Sequence, residues 1–432
     1  MKLKNVLWGG DKPGRAVTLG IQHVFAMFGS TVLVPALTGL DPAVTLFCMG
    51  IGTLIFHLIT KGVVPAFMGS SFSFIASICA VATKCGGEGF APYVGWGIMA
   101  SGVLYLVLAL LVKLLGTKRI TSFFPPIVTG CMIIIIGMML APTAMSNITT
   151  AVEGIPVWKN WVVAIVTIAV IIVVMFFFRG FWKLIPILFG IVAGYLTALA
   201  LGMVNTQPLV EASWFTLPKF EPFFTGWDWS KISFAITMIA PISIVTFVEH
   251  VGDITANGAV TGHNYIEDPG LHRTLLGCGL ASIFSGGMGG PAATTYSENT
   301  GVLAATRNYN PATLRIAAVF AIVLSLFGKV SGLLNSIPAA VMGGVSVILF
   351  GMIASVGLRM LVENGVDFTK SYNLVIAAVM LVIGLGLSSG ISVGNVTVSG
   401  TAIAAVLGVI LAKILPQEES EERQAKKENT KK

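Results

Sequence analysis

Charge is what this sequence has least of. Only 10% of its residues are Asp, Glu, Lys or Arg, against about 25% in a soluble domain. A 432-residue chain so poor in charge cannot cover a water-facing surface, and lipid must take much of its outside. Cysteine and histidine are scarce as well, at five each. Cys48, Cys79, Cys85, Cys131 and Cys278 have neither metal-ligand nor disulfide-framework spacing and read as small buried hydrophobes. His57, His263 and His272 show no ligand spacing either, so neither a metal nor a cofactor is expected. The glycine run Gly286–Gly290 has no Gly-Lys-Ser/Thr and no strand–helix context, which excludes ATP hydrolysis by a phosphate loop. A net charge of +7 could suggest nucleic acid, but the positive residues form no basic face, so no nucleic-acid partner is expected. A cleavable leader is not expected. The first apolar run continues too long and has no small-residue cleavage site, so it reads as a first span.

Apolar residues are abundant, at 55% of the chain. A membrane helix needs roughly 20 of them in succession. Such windows lie near 16–36, 42–60, 64–83, 92–115, 124–145, 160–178, 183–204, 234–256, 273–288, 291–306, 313–334, 338–358, 372–389 and 399–415. The expectation is an all-α polytopic membrane protein with 14 transmembrane segments. The stretch 206–231 reads as a long external loop, and Gln417 to Lys432 as a charged, disordered cytoplasmic tail. Fourteen spans put both termini on one side. That side would then hold 21 of the 26 Lys and Arg, leaving Lys84, Lys159, Lys219, Lys231 and Lys329 opposite. By the positive-inside rule both termini are cytoplasmic, in the cell (inner) membrane.

Seven spans per half is odd, so the second half would be inverted relative to the first. Ser70-Ser71-Phe72-Ser73 in span 3 matches Thr294-Thr295-Tyr296-Ser297 in span 10. Pro125-x-x-Val128-x-Gly130 in span 5 matches Pro338-x-x-Val341-x-Gly343 in span 12. These places are equivalent in two inverted 7-segment repeats. Spans 3 and 10 are also interrupted, the first by Pro65, Gly69 and a serine pair, the second by glycines and Pro291. Irregular backbone at membrane depth is tolerated only where protein or a wet cavity satisfies it. Matched interruptions in two halves point to a transporter's binding site.

Of 19 acidic residues, all but Glu249, Asp253 and Glu298 fall in loops, tails or span edges. No Lys or Arg lies deep within a span to neutralise these three. A charge at the bilayer centre costs about 2.5 kcal/mol or more, so such acids are functional candidates. Glu249 and Asp253 stand four apart on one helix face and can look into one cavity. Glu298 follows the broken start of span 10, where free helix N–H groups favour a carboxylate. The three acids are the candidates for proton coupling. Phe72 and Tyr296 occupy matching places, and an aromatic face can stack on a planar base. Gln22 and His23 form a polar pair early in span 1 whose first expected role is a structural hydrogen bond, supporting the site. His250 points about 100° away from its neighbour Glu249 on a helix and is expected to pack behind the site.

The run Glu298-Asn299-Thr300-Gly301-Val302-Leu303-Ala304-Ala305-Thr306-Arg307 resembles the signature of the nucleobase–ascorbate transporter family. That signature is Gln, Glu or Pro, then Asn, any residue, Gly, four of any kind, Thr, and Arg, Lys or Gly. Gln22-His23-x-Phe25-Ala26-Met27-Phe28-Gly29, Gly69-Ser70-Ser71-Phe72, Glu249-His250-Val251-Gly252 and Asp268-Pro269-Gly270-Leu271-His272-Arg273 resemble its uracil permease branch. The likeness runs from about residue 16 to 415. It implies short strands in broken segments 3 and 10, crossing at the substrate. It also implies a core domain (1–116 and 232–336) and a gate domain (117–231 and 337–416). Phe72 would stack on the base, Glu249 and Glu298 would bond its polar edge, and Ser297 would offer backbone. Tyr296 would face the same cavity, Asn299 would support it, and Asp253 would join the proton network. Two positions depart from the branch, with Asp253 where some uracil permeases have His and Ser297 where many have Gly. The reading is proton-coupled symport of a neutral nucleobase, uracil first, into the cell by alternating access, by a homodimer in the lipid bilayer.

Three alternatives are open. One is a xanthine or purine permease of the same family, although Glu at 298 rather than Gln favours uracil. Another is an intramembrane enzyme using buried acids, although no Gly-x-Gly-Asp string surrounds Asp253. The last is an anion transporter or channel of the same fold, which would more naturally offer positive charge.

Overall fold

The computed structural model describes residues 12–416 apart from 88, 153, 388–389 and 394–395. The expected tail from Gln417 onward lies outside the described residues. The described chain is mostly helical. Seven of its helical stretches are long and apolar enough to cross a membrane, and five more apolar helices of 10–17 residues accompany them.

The first half contains α1 (Pro13–Thr38), α2 (Pro42–Ile59), β1 (Met68–Ser70), a 3-10 turn at Phe72–Phe74, α3 (Ile75–Cys85) and α4 (Ala91–Leu115). After a short helical turn come α5 (Pro126–Met139), α6 (Ala141–Thr149), α7 (Val157–Phe177) and α8 (Pro186–Ala200). A connecting strap opens with α9 (Gln207–Glu211). The second half contains α10 (Trp229–Ile239), α11 (Ile242–Thr261), α12 (Leu271–Gly287), β2 (Ala293–Thr295), α13 (Ser297–Thr306), α14 (Pro311–Ser325) and α15 (Gly328–Asn335). It ends with α16 (Ala339–Glu363), α17 (Ser371–Gly386), β3 (Ile391–Val393), β4 (Val396–Val398) and α18 (Gly400–Ile414). The β3–β4 ribbon is antiparallel and was not foreseen from the sequence.

Helix starts follow local chemistry. Proline occupies the first turn of α1, α2, α5, α8 and α14, where its missing N–H costs no helical bond. Asp41 caps α2 by accepting from the N–H groups of Ala43 (2.7 Å) and Val44 (3.0 Å).

The helices pack in two groups. In one, α12 lies along α4 and α2, α14 along α2 and α1, and α10 along α4. In the other, α16 lies along α5, α6 and α7, α7 along α8, and α17 along α18 and α5. The α4–α12 seam is closed by glycines on both sides. A Cβ built at Gly102 would sit 2.7 Å from the Gly279 carbonyl oxygen, and one at Gly279 would sit 2.9 Å from that of Gly102. Small residues let membrane helices approach backbone to backbone, where dispersion and weak polar contacts replace the hydrophobic effect.

The strap after α8 is not a free external loop. Phe220 packs edge-on against Phe47 of α2, and Phe223 and Trp227 pack against Trp96 of α4. Lys329 of α15 donates to the carbonyls of Leu209 (2.9 Å) and Val210 (3.1 Å). Large aromatics recruited from a window that reads as polar give it this anchoring.

The seam makes a prediction. Gly102→Val should cost about 1–3 kcal/mol, because backbone on the facing helix cannot move aside. Gly14→Ala, where a Cβ meets nothing within 4 Å, should be neutral. Thermal unfolding of both variants in detergent checks this, and equal melting temperatures would refute the tight seam.

Candidate functional site

The two broken segments meet. Strands β1 and β2 pair antiparallel, with Met68 opposite Thr295, Gly69 opposite Thr294 and Ser70 opposite Ala293. The pairing extends at both ends, through Ser71 N–H to Ala292 O (2.9 Å) and Tyr296 N–H to Phe67 O (3.0 Å). Three-residue strands leave many backbone groups unpaired, and side chains from the surrounding helices satisfy them. Thr53 accepts from Met68 N–H (2.9 Å), and Asn257 donates to Pro65 O (2.8 Å). Ser282 accepts from Ala293 N–H (3.1 Å), and Ser285 donates to Pro291 O (2.6 Å). His57 Nε2 bonds Ala66 O at 2.9 Å.

Beside this crossing lies a cavity of about 350 Å³. The structure brings Phe72, Glu249, Asp253, Tyr296, Ser297 and Glu298 together on its wall. The Phe72 and Tyr296 rings are 6.4 Å apart between centroids and lie within 10° of parallel. Tyr296 is pinned by its hydroxyl, which donates to Ser70 O at 2.9 Å. Its ring fills the space over Gly69, where any Cβ would collide with it. Glycine is therefore required at 69 by close approach rather than by backbone conformation.

Each acid accepts from one hydroxyl. Ser73 donates to Glu249 Oε2 at 3.2 Å, Ser30 to Glu298 Oε1 at 2.8 Å and Thr295 to Asp253 Oδ2 at 2.9 Å. Glu298 lies in the first turn of α13, where free N–H groups favour negative charge. His250 turns away from the cavity into the protein, with Nε2 2.9 Å from Thr274 Oγ1.

The supporting residues stand elsewhere. Asn299 donates to His23 Nδ1 and to the His23 carbonyl, both at 3.1 Å, tying α13 to α1. Neither residue lines the cavity, and nor does Gln22, whose Oε1 is buried without a partner. The hydrogen bond expected of the pair is thus made by His23.

One pair was missed. No Lys or Arg was expected deep within a span, yet Arg359 and Glu363, at the end of α16, also line this cavity. They form a 3.7 Å ion pair at i,i+4 and are both largely exposed. Helix α16 continues one turn past the expected 338–358 window, and the cavity follows it beyond the apolar run. A charged pair spaced i,i+4 at the end of an apolar helix was the available signal.

Apolar helices in two packed groups, with two broken segments crossing at an acid-lined cavity, define a multi-pass membrane transporter. A family model described as the permease family, labelled Xan_ur_permease, matches residues 14–393. The chain belongs to this family, that of the nucleobase–ascorbate transporters, and is a permease rather than an enzyme. It is 46% identical over 411 residues to the uracil permease of Bacillus subtilis (strain 168), covering 94% of each chain. It is 39% identical over 403 residues to the uracil permease of Escherichia coli (strain K12), covering 93% of this chain and 91% of that one. It is 38% identical over 412 residues to the putative pyrimidine permease RutG of the same strain, covering 93% and 89%. Among solved structures, its fold is similar to the transmembrane domain of the cyanobacterial bicarbonate transporter BicA. That match has a TM-score of 0.63 at 15% identity and covers 92% of this chain and 96% of that one. It is also similar to the murine anion transporter Solute Carrier 26 family member A9, with a TM-score of 0.64 at 11% identity, covering 94% and 68%.

The pinned aromatic makes a prediction. Gly69→Ala should expel the Tyr296 ring and destabilise the fold by about 1–3 kcal/mol. Thermal unfolding measures the loss, and tyrosine fluorescence measures the displacement. A Gly69→Ala variant with unchanged melting and spectrum would show that the close approach is not needed.

Proposed function

We propose that this permease carries uracil into the cell together with protons by alternating access. One observation carries the reading. A cavity wall with two near-parallel aromatic rings and, at the crossing, three acids occurs in a chain 39–46% identical to proteins named uracil permease. Phe72 offers a face for the planar base, with Tyr296 beside it. Glu249 and Glu298 offer acceptors to its N–H edge, and the backbone at Ser297 supplies further contacts. Two named anion transporters share the fold, but at 11–15% identity that likeness speaks for the fold alone. Three acids at the crossing disfavour an anionic cargo, since the one arginine on the wall is already paired with Glu363.

The architecture we propose has fourteen spans in two inverted repeats of seven. The seven long helices, the five shorter ones, α12 and α13 supply them. The group containing α1, α2, α4, α10, α12 and α14 is the core domain, and the other is the gate. Because the strap packs on α2, α4 and α15, we assign residues 207–231 to the core. The protein works as a homodimer in the cell membrane with cytoplasmic termini, and the end of α16 then places Arg359 at a cytoplasmic cavity mouth.

Coupling follows from charge. A neutral base gives a membrane potential nothing to act on, so accumulation needs a co-transported cation. Beyond the three acids at the crossing and Glu363, which is paired with Arg359, the described residues offer no separate acid cluster for a dedicated ion site. Each acid has a hydroxyl partner, which can donate to a carboxylate and accept from a carboxylic acid. We therefore assign proton coupling to Glu249, Asp253 and Glu298. Glu249→Gln, which keeps the shape and cannot titrate, should still bind uracil but lose proton-driven accumulation. Asp253→Asn should be milder. The test is radiolabelled uptake into proteoliposomes with the outside acid relative to the inside, with and without sodium. Accumulation that follows sodium, or that survives in Glu249→Gln, would remove the proton mechanism. Uptake of xanthine but not uracil would assign the other branch.

A further inference from the structure

We infer that Thr295 is a positioning residue whose single hydroxyl hydrogen reports the protonation of Asp253 to His250. The inference rests on the proton-coupled reading above.

It comes from accounting for hydrogens. The Thr274 hydroxyl donates to Leu271 O at 3.0 Å, so its one hydrogen is committed. With that hydrogen on Leu271 O, we assign His250 Nε2, 2.9 Å from the hydroxyl oxygen, as the donor and Nδ1 as the acceptor. Two groups stand within reach of Nδ1, Cys278 Sγ and Thr295 Oγ1, each at 3.4 Å. Thr295 also stands 2.9 Å from Asp253 Oδ2. A hydroxyl has one hydrogen and two acceptor lone pairs, so it can serve Asp253 or His250 but not both.

The state of Asp253 decides which. An ionised carboxylate only accepts, and the charge-assisted bond holds the Thr295 hydrogen. His250 Nδ1 is then left to the thiol of Cys278, a weak donor. When Asp253 gains a proton, its own O–H can donate to Thr295 Oγ1. The Thr295 hydrogen turns to His250 Nδ1, and every polar group keeps a partner. One bond reverses and one moves. The proton stays on Asp253, and no bond to a heavy atom is made or broken.

Location gives the turn a consequence. Thr295 ends β2 and pairs with Met68, and Tyr296 and Glu298 follow it directly in the chain. A change in its bonding is felt by the strand that carries the cavity's aromatic ring. His250 and Thr274 are fully buried on α11 and α12, so the signal passes into the packed interior rather than to water. The titratable and charged groups around Asp253 are Glu249 and His250 on α11, Cys278 on α12, Glu298 on α13 and Tyr105 on α4. Arg359 and Glu363 of α16 face the same cavity.

The experiment compares Thr295→Val, which keeps the shape without the hydroxyl, with Thr295→Ser, which keeps the hydroxyl. In proteoliposomes, uracil counterflow, which needs no net proton movement, gives each variant the reference rate against which its gradient-driven accumulation is read. Accumulation driven by a pH gradient should fall about tenfold in Thr295→Val, in line with losing a hydrogen bond to a charged group. Thr295→Ser should restore it. A second measurement does not depend on the valine variant folding. In full-length protein with ¹⁵N-labelled histidine, assigned through His250→Gln, the His250 Nδ1 resonance should move with pH while Nε2 stays still. That movement should vanish in Asp253→Asn. A Nδ1 signal indifferent to pH, or equal transport losses in the valine and serine variants, would overturn the inference. Wild-type protein that ignores a pH gradient would instead overturn the coupling reading.

Discussion

Backbone N–H and C=O groups at membrane depth have no water to bond, so a helix that stops there must hand them to other partners. The β1–β2 crossing depends on this constraint, and the rest of the site depends on the crossing. Six residues pair across it, and Thr53, His57, Asn257, Ser282 and Ser285 satisfy the backbone around it. These partners come from α2, α11 and α12. Three helices are thereby tied to one point, and α3 and α13 start beside it. The polar side chains inside this apolar protein are the means by which two short strands exist in it.

Much of this was legible because membranes make sequence simple. Long apolar runs announce helices, and each expected window contains helix. The broken segments announced themselves through Gly69 and Pro291, and the acids through their isolation. The ion pair Arg359–Glu363 was not legible as part of the cavity, because a charged helix end looks the same whether it faces water or a cavity mouth. The seating of the strap was also hidden. Phe220, Phe223 and Trp227 sit among polar and proline residues, and only their partners Phe47 and Trp96 reveal what they do. The β3–β4 ribbon has strands of three residues, too short for a period of two to register.

Hydroxyls, not cations, accompany the acids. A lysine or arginine in contact with each would favour the charged form strongly. A serine or threonine donates to a carboxylate and accepts from a carboxylic acid, so it permits both. Arg359 could have served as a cation, but its bond to Glu363 and its exposure keep it at the cavity's edge. The wall therefore has acceptors whose charge can change without leaving a buried polar group stranded.

The placement of those hydroxyls adds a further constraint. Ser30 and Ser73 come from the first half of the chain, whereas the acids they bond, Glu298 and Glu249, come from the second. The Tyr296 hydroxyl reaches back to Ser70 in the same sense. Every one of these bonds spans well over a hundred residues of sequence and joins the two halves at the crossing. Only Asp253 finds its hydroxyl, Thr295, within its own half. A rigid-body movement that carried the two halves apart would break all three bonds at once. These bonds tie β1, α1 and the turn carrying Ser73 to α11 and α13, whereas the hydroxyl partners of the three acids include none from α16.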